Sequence, residues 1–308
     1  MRLYRFAALA ATAVFLVGCS NAGSATNAPT TAATNAATTA PASIPPATAP
    51  AATETPIAAP TSLITAGTLT ACVDIEYPPL EYFASADITD PNQAIGFDVD
   101  GAKAVAAKLG LALVIKNTGF EALIPDLGAG RCDIVWSGLY DSAERREVAD
   151  SVPYLVTGHV VMVAAGNPAG IKAETDLCGK TISVQSGGLV AKRAQAASDA
   201  CTTASKAAIT IQSYPEVADE LQQIVLGRVD AVWETDDAVA VFMAKNPGKY
   251  EVGFAFTPDD KYAIYYTKGK ADLGTALTAA LSALKADGTL AQIAGTYAID
   301  PARLEPIQ

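Results

Sequence analysis

From Leu63 onward, apolar runs of strand length alternate with alanine-rich segments in which apolar residues recur at helical spacing. The pattern predicts strands at 69–73, 111–115, 133–137, 160–164, 181–185, 209–212, 231–234 and 262–267. It predicts helices at 99–109, 120–129, 143–149, 189–200, 217–226, 238–245 and 272–286. Runs such as Ala231-Val232-Trp233 are apolar without alternation, as in strands covered by helices on both faces. The expected class is α/β. Ligands in such sheets lie beyond the carboxyl ends of the strands, so the loops at 74–82, 137–143, 186–189 and 235–237 are the places to search for chemistry.

The segment before Leu63 has neither period. It opens MRLYRFAALAATAVFLVGCS, two arginines followed by an apolar run at 6–17 that is too short to span a bilayer and reads as an export signal over 1–18. Leu16-Val17-Gly18-Cys19 resembles the bacterial lipobox, which implies cleavage before Cys19 and a lipid on its sulfur. Residues 19–62 are dominated by Ala, Thr, Pro, Asn and Ser, with Glu54 as the one charge and no aromatic residue. Such a segment buries too little apolar surface to offset its ordering entropy, and a disordered tether reaching about 35 Å is expected.

Charge narrows the partners. The chain carries a net charge of -11, and setting aside residues 1–60, which hold Arg2, Arg5 and Glu54, takes the remainder to about -12. Nucleic acid and anionic lipid surfaces call for a basic face that is not visible here. Of five cysteines, Cys19 is reserved for the lipid, and Cys72, Cys132, Cys178 and Cys201 permit three connectivities. Neighbouring strands favour Cys72 with Cys132, while Cys178 and Cys201 bracket one strand–helix unit. With no C-x-x-C and a single histidine, His159, no metal site is expected.

No G-x-S-x-G, H-E-x-x-H or phosphate loop is present, and Ser186-Gly187-Gly188 is too short for a dinucleotide fingerprint. One histidine limits acid–base chemistry, although carboxylates can perform it. Binding without turnover leads, with no catalytic residue and no cofactor expected. The most unusual charge is Arg145. Ser142 reads as the N-cap of a short helix, which puts Glu144 in its first turn and Arg145 at N3. A cation there opposes the helix dipole by about 0.3 to 1 kcal/mol. Either an ion pair with Asp141, Glu144 or Asp150 offsets this, or the guanidinium grips a ligand carboxylate beside the free amides of the first turn.

The wider string bears on that choice. YPPLEYF at 77–83, IGFDVDGAKAVAAKLG at 95–110, GFEALIPDLGAGRCDIVWSGLYDSAERR at 119–146 and PY at 153–154 resemble family 3 extracellular solute-binding proteins, the polar amino acid receptors of ABC importers. DLCGKTISVQSGG at 176–188, LGRVDAVWETDDAVAVF at 226–242 and LKADGTLAQIAGTY at 284–297 continue the resemblance in the same order. It implies a type II periplasmic-binding-protein fold with a ligand cleft between two lobes. Lobe 1 would take 63–157 plus 262–308 and lobe 2 158–261, with hinge crossings near 153–160 and 258–264. Closure on the ligand would form the surface that the permease recognises.

By position, the resemblance makes Arg145 the group that binds the ligand α-carboxylate and places Tyr77 and Phe120 beside the ligand side chain. Gly138 offers only its backbone, and Gln185 reaches the side chain. Gly188 stands where a threonine is frequent and keeps only its amide, with Leu189 next to it as a further candidate. Tyr140 replaces a serine or threonine hydroxyl that usually assists the arginine. For the α-amino group, counting five from Asp230 reaches Thr235, whereas matching Val239-Ala240 reaches Asp236. An ammonium in a closed cleft needs an anion, which favours Asp236, with Glu234 or Asp237 as alternatives. The acidic 235–237 loop slightly favours a cationic ligand. The implied protein is an exported, lipid-anchored monomer on the outer face of the cell membrane that captures an amino-acid-like solute for ABC permease subunits. The alternatives are a sensory binding protein without transport and a dehydratase-like enzyme using Glu234.

Overall fold

Thr68–Val73 is buried at every position after the first and forms the strand β1 around which the first sheet is built. The computed structural model describes residues 57–305, so the signal peptide, Cys19 and the tether up to residue 56 lie outside the described residues. From β1 (Thr68–Val73) the chain passes through α1 (Phe97–Lys108), β2 (Ala112–Asn117), α2 (Leu123–Gly128), β3 (Ile134–Val135), α3 (Ala143–Val148) and β4 (Ala149–Thr157). After Gly158 follow β5 (His159–Ala164), β6 (Thr181–Gln185), α4 (Leu189–Thr203), β7 (Thr210–Tyr214), α5 (Val217–Val225), β8 (Ala231–Thr235), α6 (Asp236–Lys245) and β9 (Tyr250–Ala255). The chain returns with β10 (Asp260–Thr267), α7 (Ala271–Ala286) and α8 (Thr289–Thr296).

Two five-stranded sheets result, ordered β2-β1-β3-β10-β4 and β7-β6-β8-β5-β9. In the first, β1 runs parallel to β2 and β3 while β10 is antiparallel to β3 and β4. In the second, β6 runs parallel to β7 and β8 while β5 is antiparallel to β8 and β9. Within each sheet the parallel strands therefore deliver their carboxyl ends, and the loops that follow, to one edge. Helix–sheet contact is close: a Cβ on Gly101 of α1 would sit 2.8 Å from the Trp136 ring.

All eight predicted strands form, and the pattern overlooked β4, β9 and α8. β4 carries Asp150, Ser151 and Pro153, which argue against a central strand. It is an edge strand, and its register against β10 shifts between Tyr262 and Ala263, opposite Leu155 and Pro153, where a missing N–H is tolerated. β9, sequence YEVGFA, is also an edge and mostly unburied, so it lacks the apolar run of a covered strand. α8 is separated from α7 by Gly288 at φ 85, which ends one helix and caps the next. The predicted helix at 120–129 begins as a 3-10 turn, Phe120–Ala122, before α2.

The predicted tether boundary needs correction. Ile57 packs against the core and Pro60 is buried. The Thr61 and Ser62 amides donate to Asp272 Oδ2 at 2.8 and 2.9 Å, on the first turn of α7. Cys72 is bonded to Cys132 and Cys178 to Cys201, with Cα separations of 5.7 and 5.5 Å. Among the described residues, no helix is long and apolar enough to cross a membrane.

Candidate functional site

The two crossings meet at Gly158 and Pro258. An added Cβ on Gly158 would lie 3.1 Å from Pro258 Cβ and 3.3 Å from Asp236 Oδ2, so the two segments approach closely there and a side chain would have to push a neighbour aside by a few tenths of an ångström. The Asp236 amide donates to the Gly158 carbonyl at 3.1 Å, and the Gly158 amide donates to Asp236 Oδ1 at 3.3 Å. Beside them Arg303 donates to Asp237 Oδ1 at 2.7 Å and Asp236 Oδ1 at 3.1 Å. Arg193 holds Asp260 with two donors. His159 stacks on Phe256 and accepts from Trp233 Nε1 at 2.8 Å, and burial pushes it down to about 4, which keeps the imidazole neutral.

Between the two sheets lies a small cavity of about 20 Å³, room for about one water. The first sheet lines it with Asp74, Tyr77 and Glu81 after β1, Phe120 after β2, and Ser137, Gly138 and Tyr140 after β3. The second lines it with Gln185, Gly188, Leu189 and Val190 after β6, and Glu234 and Thr235 at the end of β8. Every contributor sits at or beyond the carboxyl end of a parallel strand, where the strand order concentrates loops.

Tyr77 closes the cavity. Its hydroxyl donates to Glu234 Oε1 at 2.9 Å and contacts the Thr235 hydroxyl, joining the two sheets. Thr235 caps α6 by accepting from the Ala238 amide at 3.3 Å. Tyr140 donates to the Gly158 carbonyl at 3.2 Å, so its phenol braces the crossing. Gly138 has φ +51 and an added Cβ would lie 3.3 Å from the Tyr77 ring, which explains glycine there. Its amide donates to Asp98 Oδ2 at 2.8 Å. Gln185 Nε2 donates to Glu76 Oε1 and to the Pro215 carbonyl, both at 3.4 Å.

Carboxyls dominate the electrostatics. Burial, aided by the Glu216 charge, pushes Asp74 up to about 7. Burial and a hydrogen bond with Glu216 push Glu76 up to about 9. Burial, then the Asp98 charge, raises Glu81 well above the usual range, and burial raises Asp98 itself to about 7. Glu234 is raised by burial against donors from Thr235 and Tyr77, and Glu220, behind it, by burial and the Glu234 charge. Among the described residues, no group of ligating side chains fits a metal ion.

Two of the expected residues lie outside this lining. Asp236, expected to receive an ammonium, does not line the cavity; it starts α6 and accepts from Arg303. One position earlier the end of β8 turns Glu234 and Thr235 inward. Arg145 does follow the Ser142 cap, whose hydroxyl accepts its amide at 3.3 Å, but its side chain lines a separate outer recess of about 600 Å³. There it donates to the Tyr140 carbonyl at 3.0 Å and lies 5.8 Å from the Phe120 ring centre. Phe120 and Leu189 line both spaces. The reading of the sequence missed Asp74, Glu81, Ser137 and Val190. The signal for the first two was visible, since the loop at 74–82 places three acids among apolar residues at a strand end.

Residues 69–299 match the bacterial extracellular solute-binding proteins, family 3. The arginine-binding protein ArgT of Corynebacterium glutamicum is 32% identical over 209 residues, which cover 64% of this chain and 66% of that protein. The L-cystine-binding protein TcyA of Bacillus subtilis is 29% identical over 229 residues, covering 74% and 80%. An ancestral arginine-binding protein bound to arginine superposes with a TM-score of 0.68 at 28% identity, over 75% of this chain and 98% of that one. The two mixed sheets, the cleft between them and the two crossings are the type II periplasmic-binding-protein fold. Because the match runs through both sheets and every strand end that lines the cleft, the chain belongs to the bacterial extracellular solute-binding proteins, family 3.

Proposed function

We propose that this protein is the extracellular substrate-binding component of an ABC importer, and that it captures a small amino acid or amino-acid-like solute by closing two lobes around it. Residues 63–157 with 262–308 form one lobe and 158–261 the other. The observation that carries the reading is the Tyr77 bridge to Glu234 and Thr235: the cavity is completed only when loops of both sheets meet. A solute larger than water enters by separating that bridge, and closure then excludes solvent and strengthens polar contacts with it. The names of the relatives, arginine-binding and L-cystine-binding proteins, support an amino-acid-like ligand.

Within this reading Tyr77, Phe120, Gly138, Tyr140, Gln185, Gly188, Leu189 and Glu234 contact the solute. Arg145 waits at the mouth, on the far side of Phe120, where a solute's carboxylate end would emerge. The lipobox at Cys19 anchors the protein to the outer face of the membrane, and the tether lets a monomer reach its permease. A thermal-shift panel of amino acids and related amines on the purified chain tests the function. A ligand at a thousand times its dissociation constant stabilises by about 4 kcal/mol. No shift with any member of the panel refutes the ligand class.

A further inference from the structure

The chamber beneath Tyr77 takes its lining from both sheets, so its shape depends on what fixes the second sheet's share against the first. The loop after β1 can do so because the first sheet holds its backbone. The Asp74 amide donates to the Ser137 hydroxyl at 2.9 Å, the Ile75 amide to Asn117 Oδ1 at 3.1 Å and the Glu76 amide to the Asp74 carbonyl at 2.9 Å. From this platform two consecutive side chains reach the opposite sheet. Tyr77 meets Glu234 and Thr235 at the end of β8. Glu76, half-buried, meets the start of α5.

The first amides of a helix have no acceptor within the helix and need one from outside. The N-cap side chain often supplies one, yet Glu216, the exposed N-cap of α5, makes no such bond. Glu76 Oε1, 141 positions away along the chain, accepts from the Val217 amide at 3.0 Å instead. The same oxygen accepts more loosely, at 3.4 Å, from Gln185 Nε2, which also donates to the Pro215 carbonyl just before α5. Gln185 ends β6 and lines the chamber. One carboxyl oxygen of the first sheet thus ties together the end of β6, the turn after β7 and the start of α5. Val217, Leu221 and Ile224 are buried and α5 packs against β6, so a shift of its first turn would carry into the second sheet. A further bond between the sheets, Lys192 with Glu144, joins side chains that are each more than half exposed, where an ion pair contributes little.

We propose that Glu76 is a positioning residue for solute binding: it caps α5 across the cleft when the lobes close, holds Gln185 at the chamber wall and so slows the release of a bound solute. The proposal rests on the solute-binding function above. Glu76 does not itself line the chamber, and its effect reaches the solute through Gln185 and α5. The bond from Val217 to Glu76 is made only with the lobes together. Its loss therefore speeds opening and leaves the first encounter of a solute with the open cleft unchanged. An amide oxygen accepts a hydrogen bond as a carboxyl oxygen does, so Glu76→Gln should keep the cap and Glu76→Ala should lose it.

The test compares the full chain with its Glu76→Ala and Glu76→Gln variants, each checked for native circular dichroism. Hydrogen exchange read by NMR at the Val217 amide should be about tenfold faster in Glu76→Ala and close to the parent rate in Glu76→Gln. Stopped-flow kinetics with L-arginine and with L-cystine as probes should show dissociation about tenfold faster in Glu76→Ala, as the loss of one hydrogen bond at a closed interface implies. Association should be unchanged, and Glu76→Gln should dissociate at the parent rate. Exchange at Val217 that is equal in all three proteins, or that rises equally in both variants, overturns the cap. Faster exchange with unchanged dissociation makes Glu76 a cap of the fold alone and overturns its role in binding. Binding of neither probe to the parent chain overturns that role together with the amino-acid ligand, while exchange at Val217 still decides the cap.

Discussion

At the crossings, acids are met by arginines: buried Asp237 and half-buried Asp236 by Arg303, and half-buried Asp260 by Arg193. In the chamber between the same two sheets, Asp74, Glu81 and Glu234 have no cation in the lining; Glu81 and Glu234 accept from hydroxyls, and Glu234 also from the Thr235 amide. Both regions lie at strand ends and both are acidic. The difference separates charge that serves the fold from charge that serves a partner. A buried ion pair is worth keeping only where its geometry is fixed, as at a hinge. A binding chamber supplied with its own cation would compete with the solute.

The largest expected effect is on pH dependence. Folding raises the carboxyls of Asp74 and Asp98 to about 7 and Glu76 to about 9, so the folded chain keeps protons that the unfolded chain loses above about pH 4. Unfolded protein then binds fewer protons, and stability declines as pH rises from about 4 to 9. Asp237, held to about 6 by burial against the pull of Arg303, completes its share by pH 6. The decline between pH 6 and pH 9 therefore belongs to Asp74, which lines the chamber, and to Asp98 and Glu76 around it, and should amount to several kcal/mol in denaturant midpoints. A flat profile there would erase the distinction between the two regions.

Next in size, Arg303→Met strands Asp237, whose side chain is 5% exposed, and should cost about 3 kcal/mol at pH 8. Calorimetric unfolding checks it; an unchanged midpoint would mean that the hinge acids are as unbalanced as those of the chamber. The smallest effect concerns the outer recess. Arg145→Ala should weaken L-arginine by about 2 kcal/mol through the lost charged hydrogen bonds and leave agmatine, which has no carboxylate, unchanged. Equal weakening of both would show that Arg145 acts through the Tyr140 carbonyl and not through the ligand.

Much of this was legible in the residue pattern. Covered strands such as Ala231–Thr235 announce themselves because both faces are apolar, whereas β4 and β9 escaped detection because edge strands satisfy half their contacts with solvent. Of the three connectivities left open by the sequence, the favoured one forms: Cys72 with Cys132 on neighbouring strands, and Cys178 with Cys201 around one strand–helix unit. The cavity lining was legible as a set of loops but not as a set of side chains. Glu234, Thr235 and Asp236 are consecutive, yet the junction of strand and helix turns the first two inward and the third to Arg303.

By itself, then, the sequence determined the α/β class, the strand-end loops that line the cleft and the family, because periodicity, spacing and motif order are written along the chain. Tertiary structure decided which acids share a chamber, which meet arginines and on which side of Phe120 the guanidinium of Arg145 lies. Those outcomes depend on contacts between residues as distant as Tyr77 and Glu234 or Asp237 and Arg303. Burial and pairing, which set charge in a protein interior, arise only when the two sheets face each other.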